Sequence, residues 1–229
     1  WALANTDSSQ LARVIVYLEA DTDDWRIFPA RTMAPADEPL ALPPPQEQAA
    51  EITRFDVDGT PLPEFLADNG TTAFLVARDG ELIYEDYFNG SDRTDTQTSF
   101  STAKSFASTL IGIAQEEGLL AIDDPVTEHI PELLERDERF AEITIGDLMS
   151  MSSGLRYDEA IPWGDPAATY YAPDLRASAL DAAVVEPPGQ TFHYNNYNPL
   201  LIGMVLERAT GVPVAEYLES RLWQPMGAE

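Results

Sequence analysis

Two runs of residues in the first half of the chain carry the pattern of β-strands. Residues 72–77 and 82–87 are rich in apolar, β-branched and aromatic side chains, and Asp79-Gly80 separates them. An Asp-Gly pair between such runs favours a tight hairpin, because both residues readily adopt positive φ angles. We therefore predict an antiparallel strand pair, which is too small to shelter a hydrophobic core without further elements.

Helical periodicity follows these strands. Apolar residues recur at positions 103, 106, 107, 110, 111 and 114, the spacing of a helix packed on one side, and Gly118 ends the pattern. Capping residues and helix breakers indicate three further helices, the first of which begins with the Thr-x-x-Asp capping signal. Their predicted limits are Thr144 to Gly154, Asn198 to Gly211 and Pro213 to Pro225.

Two segments lack a clear period. Residues 1–50 combine a short apolar patch, acidic clusters and a run of three prolines, and we interpret them as a surface arm that ends in a stiff linker. The body of the protein then comprises residues 51–229. Residues 157–179 are rich in Trp, Tyr, Pro and Asp and are predicted to form a long loop, in which Trp163, Tyr170 and Tyr171 pack rather than bind substrate.

The charge balance narrows the classes of partner. The chain of 229 residues has 40 acidic and 13 basic side chains, a net charge of −27. Because this charge repels phosphate backbones and anionic membrane surfaces, we expect no nucleic acid partner. No apolar run of about 18 residues occurs, so no membrane span is expected. The absence of cysteine excludes disulfides, thiolate metal sites and a cysteine nucleophile.

The motif Ser101-Thr-Ala-Lys104 opens the first predicted helix. A spacing of three residues places the serine and the lysine on one helical face. A serine becomes a good nucleophile only when a base takes its proton, and a lysine can be that base only when its environment lowers its pKa. Lys104 is the only lysine, and every other cationic side chain is an arginine, which cannot release a proton at working pH. We therefore predict Ser101 as the nucleophile and Lys104 as its base.

A second motif, Tyr194-Asn195-Asn196, follows a Pro-Pro-Gly run and precedes the third predicted helix. A phenol can relay a proton between a serine, a lysine and a leaving group when positive charge stabilises its anion. An asparagine amide can orient a lysine or a substrate carbonyl. Tyr194 is therefore a candidate proton relay and Asn196 a candidate orienting or substrate-binding residue, while a purely structural turn is the alternative.

Other patterns are weighed against this assignment. Asp56-x-Asp58 resembles the start of a calcium loop, but position 12 of that loop would be Ala67 instead of glutamate, so a turn is the better interpretation. His129 and His193 are too far apart in sequence to suggest a metal pair. A Ser-His-Asp triad built on His193 remains an alternative. We expect no metal and no organic cofactor.

With both motifs present, the sequence resembles the serine β-lactamase and penicillin-binding-protein superfamily, whose signature includes Ser-x-x-Lys. It is most similar to the class C β-lactamase-like branch, which contains esterases, D-aminopeptidases and nylon-oligomer amide hydrolases and uses Tyr-x-Asn as its second motif. The resemblance covers about residues 70–229, and beyond the two motifs it includes the segments 143–154 and 222–227. It implies an α/β (α+β) fold of the β-lactamase/transpeptidase type, an antiparallel sheet flanked by helices with a helical subdomain that forms one wall of the active-site cleft.

The chain departs from this family in one respect. The third family motif, Lys/His-x-Gly on a strand, would lie beyond Glu229 and is absent. In the family that strand completes the sheet and supplies one N–H of the oxyanion hole, the other coming from the nucleophile, here Ser101. The resemblance therefore implies that residues 51–229 form the N-terminal and helical part of the domain. Its C-terminal strands are expected to be lost or to be present as a second chain.

The sequence thus predicts a serine hydrolase that cleaves a small-molecule ester or amide through an acyl-enzyme on Ser101. Residues 154–174 favour the esterase and nylon-oligomer hydrolase side of the branch. Two alternatives stay open: a β-lactamase or D,D-peptidase acting on penicillins or peptidoglycan peptides, and a catalytically silent binding protein with the same fold. The start at Trp1 instead of Met is compatible with removal of an export segment, so a periplasmic or extracellular location is an expectation only.

Overall fold

The computed structural model of the protein describes residues 2–160 and 164–229. The strands form two antiparallel pairs, β1 (Asp56–Val57) with β2 (Thr60–Pro61) and β3 (Ala73–Arg78) with β4 (Glu81–Tyr87). The α-helices are α1 (Gln10–Tyr17), α2 (Ala50–Thr53), α3 (Leu62–Asp68), α4 (Thr102–Glu116), α5 (Val126–His129), α6 (Pro131–Arg136), α7 (Ile145–Met149), α8 (Asp165–Tyr171), α9 (Leu175–Leu180), α10 (Tyr197–Thr210) and α11 (Val214–Leu218). Short 3-10 helices occur at Ala2–Ala4, Asp24–Arg26 and Glu138–Glu142, and a π-helical turn at Glu219–Trp223.

The hairpin of β3 and β4 confirms the predicted strand pair. Asp79 and Gly80 link the strands with φ angles of 55° and 84°, the positive values that a two-residue type I′ turn requires. Val76 pairs with Tyr84, and a register shift follows between Val76 and Ala77. The aromatic rings of Phe74 and Tyr84 then meet edge to face across the strands. The Asp-Gly pair recognised in the sequence therefore forms the turn from which the pairing of the two strands starts.

The hydrophobic core is helical and is centred on α4 and α10. These helices pack against each other, and α5, α7, α9 and α11 pack against α10. Leu110 and Ile111 of α4 and Leu201 and Val205 of α10 are almost completely buried. Each such side chain stabilises the fold by about 1.5–3 kcal/mol relative to full exposure. Because α4 contains most of the first predicted motif and α10 directly follows the second, their packing brings the two motifs close together.

The limits of the first and third predicted helices are confirmed within a residue or two. α4 begins at Thr102 and ends at Glu116, before Gly118. α10 ends at Thr210, and Gly211 follows with a left-handed φ of 74°, the conformation that glycine adopts most readily after a helix. The predicted fourth helix corresponds to α11 and the π-helical turn after it. In the described ranges no helix is long and apolar enough to cross a membrane.

The second predicted helix is shorter than expected. Thr144 and Asp147 form the predicted capping box, in which each side chain accepts a hydrogen bond from the other residue's backbone amide. α7 nevertheless ends at Met149 instead of Gly154. Met151 adopts a φ of 57°, which is incompatible with a right-handed helix, so the chain turns there.

The predicted long loop at residues 157–179 is wrong in part, because it contains α8 and most of α9. Pro166 lies in the first turn of α8, where a missing N–H is tolerated. Asp174 caps α9 by accepting a hydrogen bond from the amide of Ala177 at 3.0 Å. Helices of 7 and 6 residues are too short for a period to be recognised. Of the aromatic residues predicted to pack in this segment, Trp163 lies outside the described residues.

The N-terminal arm runs over the surface of the body. α1 begins after Ser9, which caps it, and packs against α8. Further along, the amides of Ala36 and Leu40 donate to the carbonyls of Ala228 and Gly227 at 2.8 and 2.7 Å. The arm therefore contacts the body at widely separated points, while its treatment as a unit of residues 1–50 stays a prediction.

Gly154 is a position at which a side chain should be costly. Gly154 and Gly118 share a φ of 72°. A Cβ at Gly154 would collide with the backbone carbonyl of Glu186, whereas a Cβ at Gly118 would meet open space. We expect Gly118→Ala to lower the free energy of unfolding by about 1–2 kcal/mol through backbone strain alone. Gly154→Ala should lower it by about 3 kcal/mol or more, because overpacking adds to the strain.

Urea denaturation of both variants and the wild type measures this difference. Gly118→Ala is the matched control, since it carries the same backbone strain without the collision. Equal losses of stability in the two variants would contradict the role assigned to the contact with Glu186.

Candidate active site

Ser101 lies directly before α4, and its backbone is already helical, with φ −69° and ψ −10°. The amide of Lys104 donates to the carbonyl of Ser101 at 3.0 Å, which closes the first turn. The Ser101 side chain makes no capping hydrogen bond. Its hydroxyl is therefore available to other partners, at the end of the helix where the dipole favours negative charge.

Three predicted site residues meet at the Ser101 hydroxyl. Lys104 Nζ donates to Ser101 Oγ at 2.9 Å, and the Tyr194 hydroxyl donates to the same oxygen at 2.7 Å. Lys104 Nζ also lies 5.0 Å from the centre of the Tyr194 ring, in cation–π contact. One hydroxyl oxygen is thus shared between an amine on the same helix and a phenol from a segment 93 residues away in sequence.

The surroundings of Tyr194 favour its anion. The hydrogen bond with Ser101 lowers the pKa of the Tyr194 phenol below its ordinary value of 10.0, and the hydrogen bond and positive charge of Lys104 lower it further, against a smaller opposing effect of burial. Tyr194 is 41% exposed, so solvent screens these interactions in part. In the parts of the chain that the structure describes, no carboxylate forms an ion pair with Lys104.

Asn195 anchors the segment that carries Tyr194. This buried side chain donates to the carbonyl of Leu155 at 3.0 Å and accepts from the amide of Tyr197 at 2.8 Å. The amide of His193 also donates to the carbonyl of Met151 at 2.8 Å. Sequence reasoning gave Asn195 no role. The available signal was an asparagine two residues before a helix, a place where its side chain can bond the backbone just ahead.

Asn196 contacts a residue that sequence reasoning also missed. Its amide nitrogen donates to the Tyr157 hydroxyl at 2.8 Å, and that hydroxyl lies 3.3 Å from Thr169 Oγ1 of α8. Burial raises the pKa of Tyr157 and keeps it neutral. Tyr157 therefore fixes the Asn196 side chain. The predicted role of Asn196 in orienting Lys104 or a substrate stays a prediction.

The rival arrangements find less support. The His193 ring packs edge to face on Tyr157, with 6.3 Å between ring centres, and no hydrogen bond in the described ranges joins the His193 side chain to Ser101. Asp56 Oδ1 accepts the amide of Gly59 at 2.9 Å between β1 and β2, which confirms the predicted turn. Residues 2–160 and 164–229 contain no cluster of His, Cys, Asp or Glu that could hold a metal ion.

Ser101 is exposed in the described structure. A cavity of about 700 Å³ occurs elsewhere, between residues 43–45 of the arm and β4. None of the residues that meet at Ser101 lines it. The side chains that could contact a substrate here are instead those left partly exposed around Ser101, which include Phe100 and Tyr194.

Comparison with known proteins adds independent evidence. A family model described as Beta-lactamase matches residues 64–229. A 6-aminohexanoate-dimer hydrolase of Paenarthrobacter ureafaciens is 28% identical over 92% of this chain and 59% of its own length. The chain therefore spans about three-fifths of this curated relative. This relative is named as a hydrolase, in agreement with the predicted enzyme class.

Solved structures agree with the family match. A Bacillus anthracis protein described as a candidate 6-aminohexanoate-dimer hydrolase superimposes with a TM-score of 0.75 at 26% identity, covering 89% of this chain and 57% of that one. A candidate β-lactamase from Bacteroides dorei DSM 17855 superimposes with a TM-score of 0.57 at 25% identity, covering 71% and 49% of the two chains. The resemblance inferred from the two motifs is confirmed: this chain belongs to the beta-lactamase family and has the β-lactamase/transpeptidase-like fold.

Proposed function

We propose that the protein is a serine hydrolase that cleaves an ester or amide bond by acyl transfer to water, with Ser101 as the acylated residue. The observation that carries this proposal is the contact of one serine hydroxyl with both Lys104 Nζ at 2.9 Å and the Tyr194 oxygen at 2.7 Å. A nucleophile within hydrogen-bond reach of a base, and that base in contact with a second group, is the arrangement that activates serine.

Acylation uses all three groups. Ser101 Oγ forms a bond to the carbonyl carbon of the substrate while its proton passes to the relay formed by Tyr194 and Lys104. The carbonyl oxygen takes up the negative charge beside the N-terminal end of α4, whose dipole stabilises it. The bond from carbon to the leaving oxygen or nitrogen then breaks, and the relay gives its proton to the leaving alcohol or amine.

Deacylation runs through the same groups in the reverse order. A water molecule attacks the acyl carbon, and its proton passes to Tyr194 and Lys104. The bond between the acyl carbon and Ser101 Oγ then breaks, the serine oxygen recovers a proton from the relay, and the carboxylic acid leaves. The two half-reactions together consume one water molecule and restore the free enzyme.

An amide is the substrate class that the relatives favour. The names of the Paenarthrobacter ureafaciens and Bacillus anthracis proteins refer to hydrolysis of a 6-aminohexanoate dimer. The alternative of a β-lactamase or D,D-peptidase is kept because of the candidate β-lactamase among the similar structures. The alternative of a silent binding protein is weakened by the intact Ser101, Lys104 and Tyr194 contacts, since a non-catalytic descendant has no need of them.

The first prediction of this proposal concerns the nucleophile. In the full-length natural protein, a fluorophosphonate probe should add covalently to Ser101, because the relay removes the proton of the attacking hydroxyl. Ser101→Ala should lose both the adduct and turnover of ester and amide substrates. Intact-mass measurement after exposure to fluorophosphonate, penicillin and p-nitrophenyl ester probes detects the adduct and ranks the substrate classes.

The matched control is Ser105→Ala, which removes an exposed hydroxyl one turn further along the same helix. This variant should label at the wild-type rate. Undiminished labelling of Ser101→Ala would remove the basis of the assignment.

The second prediction concerns the proton relay. We expect Lys104→Arg to lose about a hundredfold or more in turnover, the scale of lost general-base catalysis, because an arginine cannot accept the proton. If Lys104 only supplied positive charge, the variant would keep most of the rate. Because the pKa of Tyr194 is lowered, wild-type activity should rise with pH through an apparent pKa below that of free tyrosine. Above that value the deprotonated relay predominates. This rise of activity with pH should disappear or shift to another pH in Tyr194→Phe, as expected when Tyr194 and Lys104 titrate as coupled groups.

Profiles of kcat against pH for the wild type and the two variants test this prediction. Arg139→Lys, an exchange at an exposed arginine paired with Asp137, controls for the exchange of cation type. A folded Lys104→Arg protein with near wild-type turnover would show that Lys104 is not the base and would return that role to His193 or a bound water.

A further inference from the structure

The residue before the nucleophile has an unusual backbone conformation. Phe100 has a φ of 45°, a left-handed value that is strained for a bulky side chain and persists only where surrounding contacts enforce it. The Phe100 side chain is 42% exposed, so burial alone does not hold it. Its ring is instead stacked on that of Tyr170 in α8, with 6.5 Å between ring centres and an angle of 20° between the rings.

Tyr170 is in turn held by the N-terminal arm. Its hydroxyl donates to Asp24 Oδ2 at 2.7 Å, and Asp24 is only 6% exposed. Phe28 of the arm packs edge to face on the Tyr170 ring at 5.4 Å. Burial, and then the bond to the Asp24 carboxylate, raise the pKa of Tyr170 and keep it a donor at working pH. The ring that supports Phe100 is therefore fixed by two arm residues.

The arm also binds the segment that leads into Phe100. The amide of Trp25 donates to Thr98 Oγ1 at 3.0 Å, and the amide of Thr98 donates to the carbonyl of Thr22 at 2.7 Å. Thr98 is three residues before Ser101 in the sequence. The arm residues 22–28 therefore touch both the chain entering the nucleophile and the helix that supports it.

The opposite end of α8 reaches the second motif. Asp165 Oδ1 accepts a hydrogen bond from the Tyr197 hydroxyl at 2.7 Å, and Tyr197 is three residues after Tyr194. Arg13 of α1 donates to the carbonyls of Tyr171 and Ala172 at 3.4 and 3.2 Å. α8 is thus tied to the segments of both motifs and is fastened to the arm.

We propose that Asp24 and Tyr170 are positioning residues for the nucleophile: Asp24 fixes Tyr170, Tyr170 holds Phe100 in its strained conformation, and Phe100 sets the position of Ser101. The N-terminal arm is on this view part of the active site and not only a surface covering. This inference rests on the proposed role of Ser101 as nucleophile.

The test measures the second-order rate constant of fluorophosphonate labelling at Ser101, together with kcat and KM, in the full-length natural protein. Tyr170→Phe removes the bond to Asp24 but keeps the ring. It should slow labelling and lower kcat by about tenfold, since misplacing a reacting group by 1 Å costs up to about a hundredfold. Asp24→Ala should have the same effect. Asp24→Asn should restore the rate to within about threefold, because the amide oxygen can still accept the Tyr170 hydroxyl.

Tyr217→Phe is the matched control. Its hydroxyl likewise donates to a carboxylate, Glu117 Oε2 at 2.9 Å, near the far end of α4 from Ser101. The Tyr217 side chain is buried, and that of Tyr170 is partly exposed. A purely structural role would lower the melting temperature in Tyr170→Phe and Tyr217→Phe alike and leave both labelling rates unchanged, which would overturn the inference. Wild-type labelling in both Tyr170→Phe and Asp24→Ala would also overturn it. Labelling that survives in Ser101→Ala would instead refute the proposed function.

Discussion

The proposed chemistry depends on one contact, the 2.7 Å approach of the Tyr194 oxygen to Ser101 Oγ across 93 residues of sequence. The burial of apolar side chains between α4 and α10 brings the two segments together, but it has no direction of its own. Hydrogen bonds supply the direction. Asn195 is bonded to the carbonyl of Leu155 and to the start of α10, and these bonds fix the backbone next to Tyr194. Burial in the core therefore brings the two motif segments together, and the hydrogen bonds of the Asn195 turn orient the segment that carries Tyr194.

Lys104 differs from the arginines in the partner that it binds. Several arginines form ion pairs with carboxylates on the surface, such as Arg208 with Glu132 and Arg176 with Glu207. The hydrogen bond from Arg208 lowers the pKa of Glu132 to about 2. Such exposed pairs contribute about 0–1 kcal/mol each, so they matter little to folding. Lys104, by contrast, donates to Ser101 Oγ, and in the described ranges no carboxylate forms an ion pair with its side chain.

The parts of the fold that were predicted from sequence are those governed by local rules. The Asp79-Gly80 turn, the capping box of Thr144 and the end of α10 at Gly211 each follow from a few neighbouring residues. The same holds for Ser101 and Lys104, which one helical turn brings together. α8 was missed because a helix of 7 residues is too short to show a period and is stabilised by its neighbours. Tyr157 was missed for the related reason that its partner lies 39 residues away.

A residue with strained backbone lies next to each motif or contacts it, and the neighbouring sequence does not predict this strain. Phe100 precedes Ser101 with a φ of 45°, and Met151, with a φ of 57°, accepts the amide of His193 directly before Tyr194. The other described non-glycine residues with positive φ are Leu18 at the end of α1 and the short polar Asp58, Asp79 and Asn89, types that tolerate this conformation. Phe100 and Met151 are less tolerant types, and each has a contact from elsewhere in the chain, Phe100 with the Tyr170 ring and Met151 with the amide of His193. Because such strain persists only where the surroundings over-determine it, the two motif segments are placed by the whole fold and not by their own sequence preferences.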